Sequence, residues 1–99
     1  MAIAHLVSFK YKSGTTAAQQ ADHRAKLKSL ANLEGIVDFK VGADVVRSPR
    51  SYDTGLVVLF RDRAALDAYA VNPRHVPVAQ LGRDLSDAIV AVDFEVENA

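Results

Sequence analysis

The sequence predicts an α+β fold, with one four-stranded antiparallel sheet and helices packed on one of its faces. Three observations predict it. Four runs rich in β-branched and aromatic residues are separated by stretches of good helix formers, in the order β-α-β-β-α-β. Apolar residues alternate along the first run and mark one face as buried. The third and last runs are apolar on both faces, so the side of the sheet away from the helices also needs cover.

Each element has its own signal. From Ile3 to Tyr11 the alternation sets Ile3, His5, Val7, Phe9 and Tyr11 on one face and Ala4, Leu6, Ser8 and Lys10 on the other. Ser13-Gly14-Thr15-Thr16 breaks the strand, and Thr15 or Thr16 supplies an N-cap. Ala17 to about Leu33 contains no glycine or proline and is rich in Ala, Gln, Lys and Leu, which predicts a helix. Glu34-Gly35 ends it. Ile36 to Val46 reads as the second strand, followed by the polar loop Arg47-Ser48-Pro49-Arg50-Ser51. Thr54 to Phe60 is the third strand and Ala64 to Asn72 the second helix. Val76 to Asp87, with Val78, Leu81 and Leu85, is expected to form a short irregular helix before the last strand, Ile89 to Val96.

Short connections and right-handed crossovers turn this order into the ferredoxin-like arrangement, with strand order 4-1-3-2. The third strand carries Leu56, Val58 and Phe60 on one face and Gly55, Val57 and Leu59 on the other. In the last strand Val90, Val92, Phe94 and Val96 oppose Ile89, Ala91, Asp93 and Glu95. Helices on one face leave a large apolar patch on the other. A second copy, sheet against sheet in a two-fold homodimer, is the expected cover.

Composition narrows the function. Ninety-nine residues, about half of them apolar, make a single domain spanning residues 1–99. Twelve basic residues balance twelve acidic ones, which argues against nucleic acid or an anionic membrane as partner. There is no cysteine, hence no thiolate nucleophile and no cysteine zinc site. No stretch approaches ~18 apolar residues and no signal peptide opens the chain, so a cytoplasmic location is expected. Gly42, Gly55 and Gly82 stand alone rather than in a phosphate-cradling loop, and no nucleotide cofactor is suggested.

The stretch from Leu66 to Pro77 carries the candidate chemistry. Pro73 pushes Asn72 out of the helical region and Pro77 does the same to Val76, so His75 is expected on a stiff, non-helical exit. Tyr69 lies one helical turn before Pro73. An imidazole titrating near neutral pH suits a general base, and a phenol can donate to a carbonyl or enolate oxygen. The competing reading has His75 capping the turn and the Tyr69 hydroxyl at the surface. His5 lies on an apolar stripe between Ile3 and Val7, where a histidine is usually hydrogen-bonded to a neighbour. His23 shares a helical face with Leu27 and Leu30, which would bring three histidines toward one space between helices and sheet; the competing reading has His23 turned outward near the helix start, with alanines making the buried face. Coming from three elements without recognisable spacing, they do not predict a metal site. Asp93, the one charge between Val90 and Phe94, reads as a structural ion pair or a dimer-interface hydrogen bond.

These residues resemble the stress-responsive A/B barrel family of small dimeric α+β barrels. The resemblance lies in His5-Leu6-Val7-Ser8-Phe9-Lys10, Gly42, Leu56-Val57-Val58-Leu59-Phe60-Arg61-Asp62 and the closing Val92-Asp93-Phe94. It is best at Tyr69-Ala70-Val71-Asn72-Pro73-Arg74-His75, against a family pattern Tyr-x-x-His-Pro-x-His. The family includes a plant polyketide cyclase that closes an aromatic ring by intramolecular aldol condensation. By that resemblance Tyr69 and His75 are the acid–base pair and His5 lines the same cavity. Asn72 departs from the cyclase pattern, which has histidine there. Leu27 stands where the cyclase has tyrosine and Thr54 where it has histidine. Some plant members bind magnesium through backbone carbonyls at the positions of Ala31, Glu34 and Val37, but nothing in these residues predicts it.

The expectation is therefore a homodimer with one small-molecule pocket per protomer between helices and sheet. His75 and Tyr69 are its expected catalytic residues, with His5, His23, Leu27, Asn72 and Val7 lining it. No cofactor and no metal are expected. The chemistry expected is cofactor-free acid–base work of the cyclase or lyase type on a carbonyl or aromatic-acid compound. Two rivals stand beside it: a non-enzymatic stress or ligand-binding protein, and a cofactor-free monooxygenase or haem-associated member of the wider dimeric ferredoxin-like group.

Overall fold

Alternation at the start of the chain is realised as strand β1 (Ala2–Tyr11) in the computed structural model, which describes residues 1–97. Helix α1 (Ala17–Lys28) follows, then β2 (Ile36–Ala43), β3 (Thr54–Phe60), α2 (Arg63–Ala70), α3 (His75–Leu85) and β4 (Ser86–Val96). All neighbouring strands are antiparallel, in the order β2-β3-β1-β4, which is the expected order read from the other edge.

The ladder register fixes two faces. On the helix side, Ile3, His5, Val7 and Phe9 of β1 stand opposite Phe60, Val58, Leu56 and Thr54 of β3. With Tyr11, and with Leu27 and Leu30 from the first helical region and Ala65 and Tyr69 from α2, the apolar members of this face form the core. On the far side three rows run across the sheet from β2 to β4. They are Gly42–Gly55–Ser8–Val90, Lys40–Val57–Leu6–Val92 and Asp38–Leu59–Ala4–Phe94. Val57, Val90, Val92 and Phe94 on that face are exposed in the single chain.

Helix starts follow the sequence. Thr16 caps α1 in a capping box with Gln19, each side chain accepting from the other's backbone N–H. The Asp62 carboxylate accepts from the Ala65 N–H at 2.9 Å and opens α2.

Helix ends differ from expectation in two places. The first helix stops at Lys28 rather than Leu33. The Ser29 hydroxyl donates back to the Lys26 carbonyl at 2.6 Å, and tight turns follow, with Leu30 N–H to Leu27 and Leu33 N–H to Leu30. These turns drive Leu30 to 1% exposure. The segment expected to be an irregular helix from Val76 is a regular one, α3, and His75 is its first residue rather than part of a stiff exit before it. Pro77 stands in the first turn, where its missing N–H has no intrahelical partner to lose. The Asn72 carbonyl accepts from both His75 and Val76 N–H groups, so the turn overrides the local bias that Pro77 places on Val76. From α3 the chain passes directly into β4, which starts at Ser86 instead of Ile89 because Ser86 and Ala88 pair with Tyr11 and Lys10. Among the described residues no helix is long and apolar enough to cross a membrane.

Candidate functional site

Ala65 and Tyr69, one turn apart on α2, point at the sheet and are both buried. The Tyr69 ring meets Phe60 edge-on at 5.0 Å and His5 at 6.1 Å between centroids. On its other side His75 lies 4.2 Å away, tilted by 36°. The residue is 4% exposed, yet its hydroxyl has no hydrogen-bond partner among the described residues. Burial pushes this phenol up to about 12, so it stays protonated as a neutral donor.

His75 is placed by the start of α3. Its Nδ1–H donates to the Ala70 carbonyl at 3.3 Å, which leaves Nε2 as the nitrogen with a free lone pair. Burial lowers its pKa; the neighbouring His5 and Arg83 act in the same direction, and the Ala70 bond opposes them. The imidazole is therefore neutral near pH 7 and fit to accept a proton. His5, half-buried, stands directly opposite Asp93 in the β1–β4 ladder, and its Nδ1–H donates to the Asp93 carboxylate. The partner of Asp93 within the chain is thus His5. The Tyr69 ring thus stands between the His75 imidazole and a second imidazole, His5, oriented by a carboxylate.

The other predicted residues fall around this cluster or away from it. Val7 and Leu27 are buried core residues. Asn72 is half-buried, and its carboxamide oxygen accepts from the Arg74 N–H at 2.8 Å, so it builds the turn that leads to His75. Tyr69 and Asn72 also line a surface depression of about 240 Å³ with Leu33 and Ala65. Asp93 lines another of about 300 Å³ with Ile3, Arg63 and Leu66.

His23 is fully buried on the sheet-facing side of α1, but it does not join His5 and His75. It packs edge-on against Phe9 at 4.8 Å and against Tyr11. Phe9 lies four residues along β1 from His5, about 13 Å for an extended strand. There the Tyr11 hydroxyl lies 2.7 Å from His23 Nδ1 and 2.9 Å from Thr54 Oγ1, which also accepts from Arg24 at 3.2 Å. This buried polar network escapes sequence reasoning because its members come from three elements. Its one sequence signal is Tyr11, a polar-tipped side chain ending an apolar stripe. With the histidines divided in this way, no group of three or more His, Asp or Glu among the described residues is placed to hold a metal ion.

Comparison with known proteins agrees with this architecture. The family model described as the stress responsive A/B barrel domain matches residues 3–96. A dimeric ferredoxin-like protein of unknown function from Jannaschia sp. CCS1 is 31% identical, with a TM-score of 0.83 over 97% of this chain and 100% of that one. Another such protein, from Thermobifida fusca YX, gives a TM-score of 0.89 at 24% identity over 97% and 92% of the two chains. A hydroxynitrile lyase from Passiflora edulis shares the fold at a TM-score of 0.86 and 17% identity, over 99% and 95%. No curated protein matches the chain.

Proposed function

The chain belongs to the stress responsive A/B barrel domain family, and from that premise we propose that it is a homodimeric, cofactor-free acid–base catalyst acting on a small carbonyl or aromatic-acid compound. The observation that carries this reading is the buried, unpartnered hydroxyl of Tyr69, whose ring has an imidazole on either side. A buried hydroxyl left without a partner costs stability. Its retention is accounted for when a ligand oxygen completes it. Tyr69 then donates to a substrate carbonyl or developing enolate oxygen, where a neutral donor in a dry site is most effective. His75 takes the proton from the adjacent carbon at Nε2, and His5, held by Asp93, lines the opposite side.

The homodimer is supported by the exposed apolar far face of the sheet and by dimeric relatives of the same fold. The test has two stages. Aromatic acids, β-keto acids and aromatic aldehydes are screened by thermal shift, since a ligand of the folded state raises the melting temperature. The α-hydroxynitriles join the set because a lyase for that class uses this fold. Compounds that bind are then assayed for turnover with wild type, His75→Ala and Tyr69→Phe. Loss of turnover in both variants is expected. Turnover unchanged in both overturns the assignment.

A further inference from the structure

We infer that the surface depression beside Tyr69 is the entrance through which an organic acid reaches the site, and that Arg61 at its rim holds the carboxylate. The inference rests on the acid–base reading above and deepens it by choosing the acid among the ligand classes and stating where it enters.

The Tyr69 hydroxyl is buried and unpartnered, so a ligand oxygen has to pass a wall to complete it. Two surface depressions reach the residues around it. One, of about 240 Å³, is lined by Tyr69 itself, with Leu33, Glu34, Arg61, Ala64 and Ala68. The other, of about 300 Å³, meets Asp93, the partner of His5, and has Arg63 and Glu95 beside it.

Charge separates the two. Arg63 donates to the Asp67 carboxylate at 2.9 Å, so the second depression presents Asp93 and Glu95 with its cation already engaged. Arg61 is uncommitted. Its backbone N–H donates to the Gly35 carbonyl at 2.8 Å, which fixes the residue at the rim, between the end of β3 and the start of α2. Its guanidinium comes only within 3.6 Å of the Asp62 carboxylate and 3.9 Å of Glu34, both longer than a hydrogen bond. Asp62 is occupied in accepting from the Ala65 N–H, and the Glu34 side chain is 91% exposed. A ligand carboxylate offers Arg61 the two-oxygen partner that its forked N–H groups fit.

Size points the same way. Ala64 and Ala68 lie one turn apart on α2, so no long side chain from that helix fills the space. A volume of about 240 Å³ lies below the roughly 300–1,000 Å³ of sites for drug-sized molecules, and suits a single-ring acid or a short keto acid. With its carboxylate on Arg61, such a ligand has its other end free to face Tyr69.

The full-length, isotope-labelled chain is titrated with benzoate, phenylpyruvate and acetoacetate, and with the uncharged amide of each, and followed by NMR. Backbone amides of residues 33–35 and 64–69 are expected to shift, and the acids to bind more tightly than their amides. Arg61 and Ala68 are exposed, so far-UV circular dichroism of Arg61→Gln and Ala68→Leu should match wild type. Arg61→Gln is expected to weaken the acids roughly tenfold and leave the amides unchanged. Ala68→Leu, which fills the depression, should weaken both. Glu95→Tyr, which narrows the other depression, should weaken neither. If no acid binds, the organic-acid class falls and this inference with it. Acids that bind Arg61→Gln and Ala68→Leu as tightly as wild type overturn the entrance and leave the acid–base reading to its own turnover test. Binding weakened by Glu95→Tyr instead puts the entrance at Asp93 and overturns the inference.

Discussion

Tyr69 and His75 hold their rings 4.2 Å apart across the turn that joins α2 to α3, and the Asn72 carbonyl inside that turn ties down the start of α3. A donor that does not ionise near neutral pH and a base that is not already protonated are thereby placed side by side.

Removing the hydroxyl separates stability from activity. Tyr69→Phe deletes a buried oxygen with no partner and keeps the ring contacts to Phe60 and His5. We expect the variant to be more stable by about 1 kcal/mol in urea denaturation, because a desolvated, unsatisfied group is gone. Ligand binding or turnover should fall at the same time, the pattern of a functional site that carries a stability cost.

Stability should fall on mild acidification. Burial lowers the pKa of both His23 and His75, with charged neighbours secondary. The unfolded chain then binds more protons than the folded one below about pH 6.5, the ordinary imidazole value. Stability is full above that pH, declines as pH drops through it, and levels off below the folded-state values. The slope approaches ~1.4 kcal/mol per pH unit for each imidazole. His23→Asn, which cannot protonate, should remove one imidazole's share, as read by urea denaturation between pH 5 and pH 8.

Two glycines with the same backbone angle should respond differently. Gly14 and Gly35 both have φ of +88°, but a Cβ at Gly14 meets open space whereas one at Gly35 comes 2.5 Å from the Ala65 Cβ. Gly14→Ala is expected to cost about 1 kcal/mol for the left-handed backbone. Gly35→Ala adds a clash between the β2 approach and α2, and about 3 kcal/mol is expected.

Arg74 should govern local opening around the site. Its guanidinium donates to the Ser29 carbonyl at 2.6 Å and to Asn32 Oδ1 at 3.3 Å, tying the α2–α3 turn to the end of α1. Arg74→Met should cost roughly 1 kcal/mol. Amide hydrogen exchange should quicken in residues 30–33 and at His75 and Val76, while β1 and β3 stay protected.

The sheet was legible because strand parity is a strict code: the face assignments for β1, β3 and β4 follow from alternation alone. The pairing of His5 with Asp93 was half legible, since a lone carboxylate among apolar residues asks for a partner without naming it. The end of α1 was not legible. Residues 29–33 contain no strong breaker, and the helix tightens there because a serine hydroxyl competes for a backbone carbonyl. Pro77 misled for the opposite reason. The bias it places on Val76 is small beside the packing of α3, and a proline in a first turn fits a helix well. His23 shows the limit of a one-helix argument: the stripe with Leu27 and Leu30 gave its direction, but its partners, Phe9 and Tyr11, lie at the far end of β1 from His5.

The position of His75 as the first residue of α3 has an electrostatic consequence. The peptide dipoles of a helix sum to a partial positive charge at its N-terminus. No acidic residue occupies the first turn of α3 to offset that field. A proton taken up by His75 is therefore pushed back out by the helix itself, in the same direction as burial. The start of α3 thus adds to burial in keeping the His75 imidazole uncharged, and a proton is bound there less tightly than in the unfolded chain.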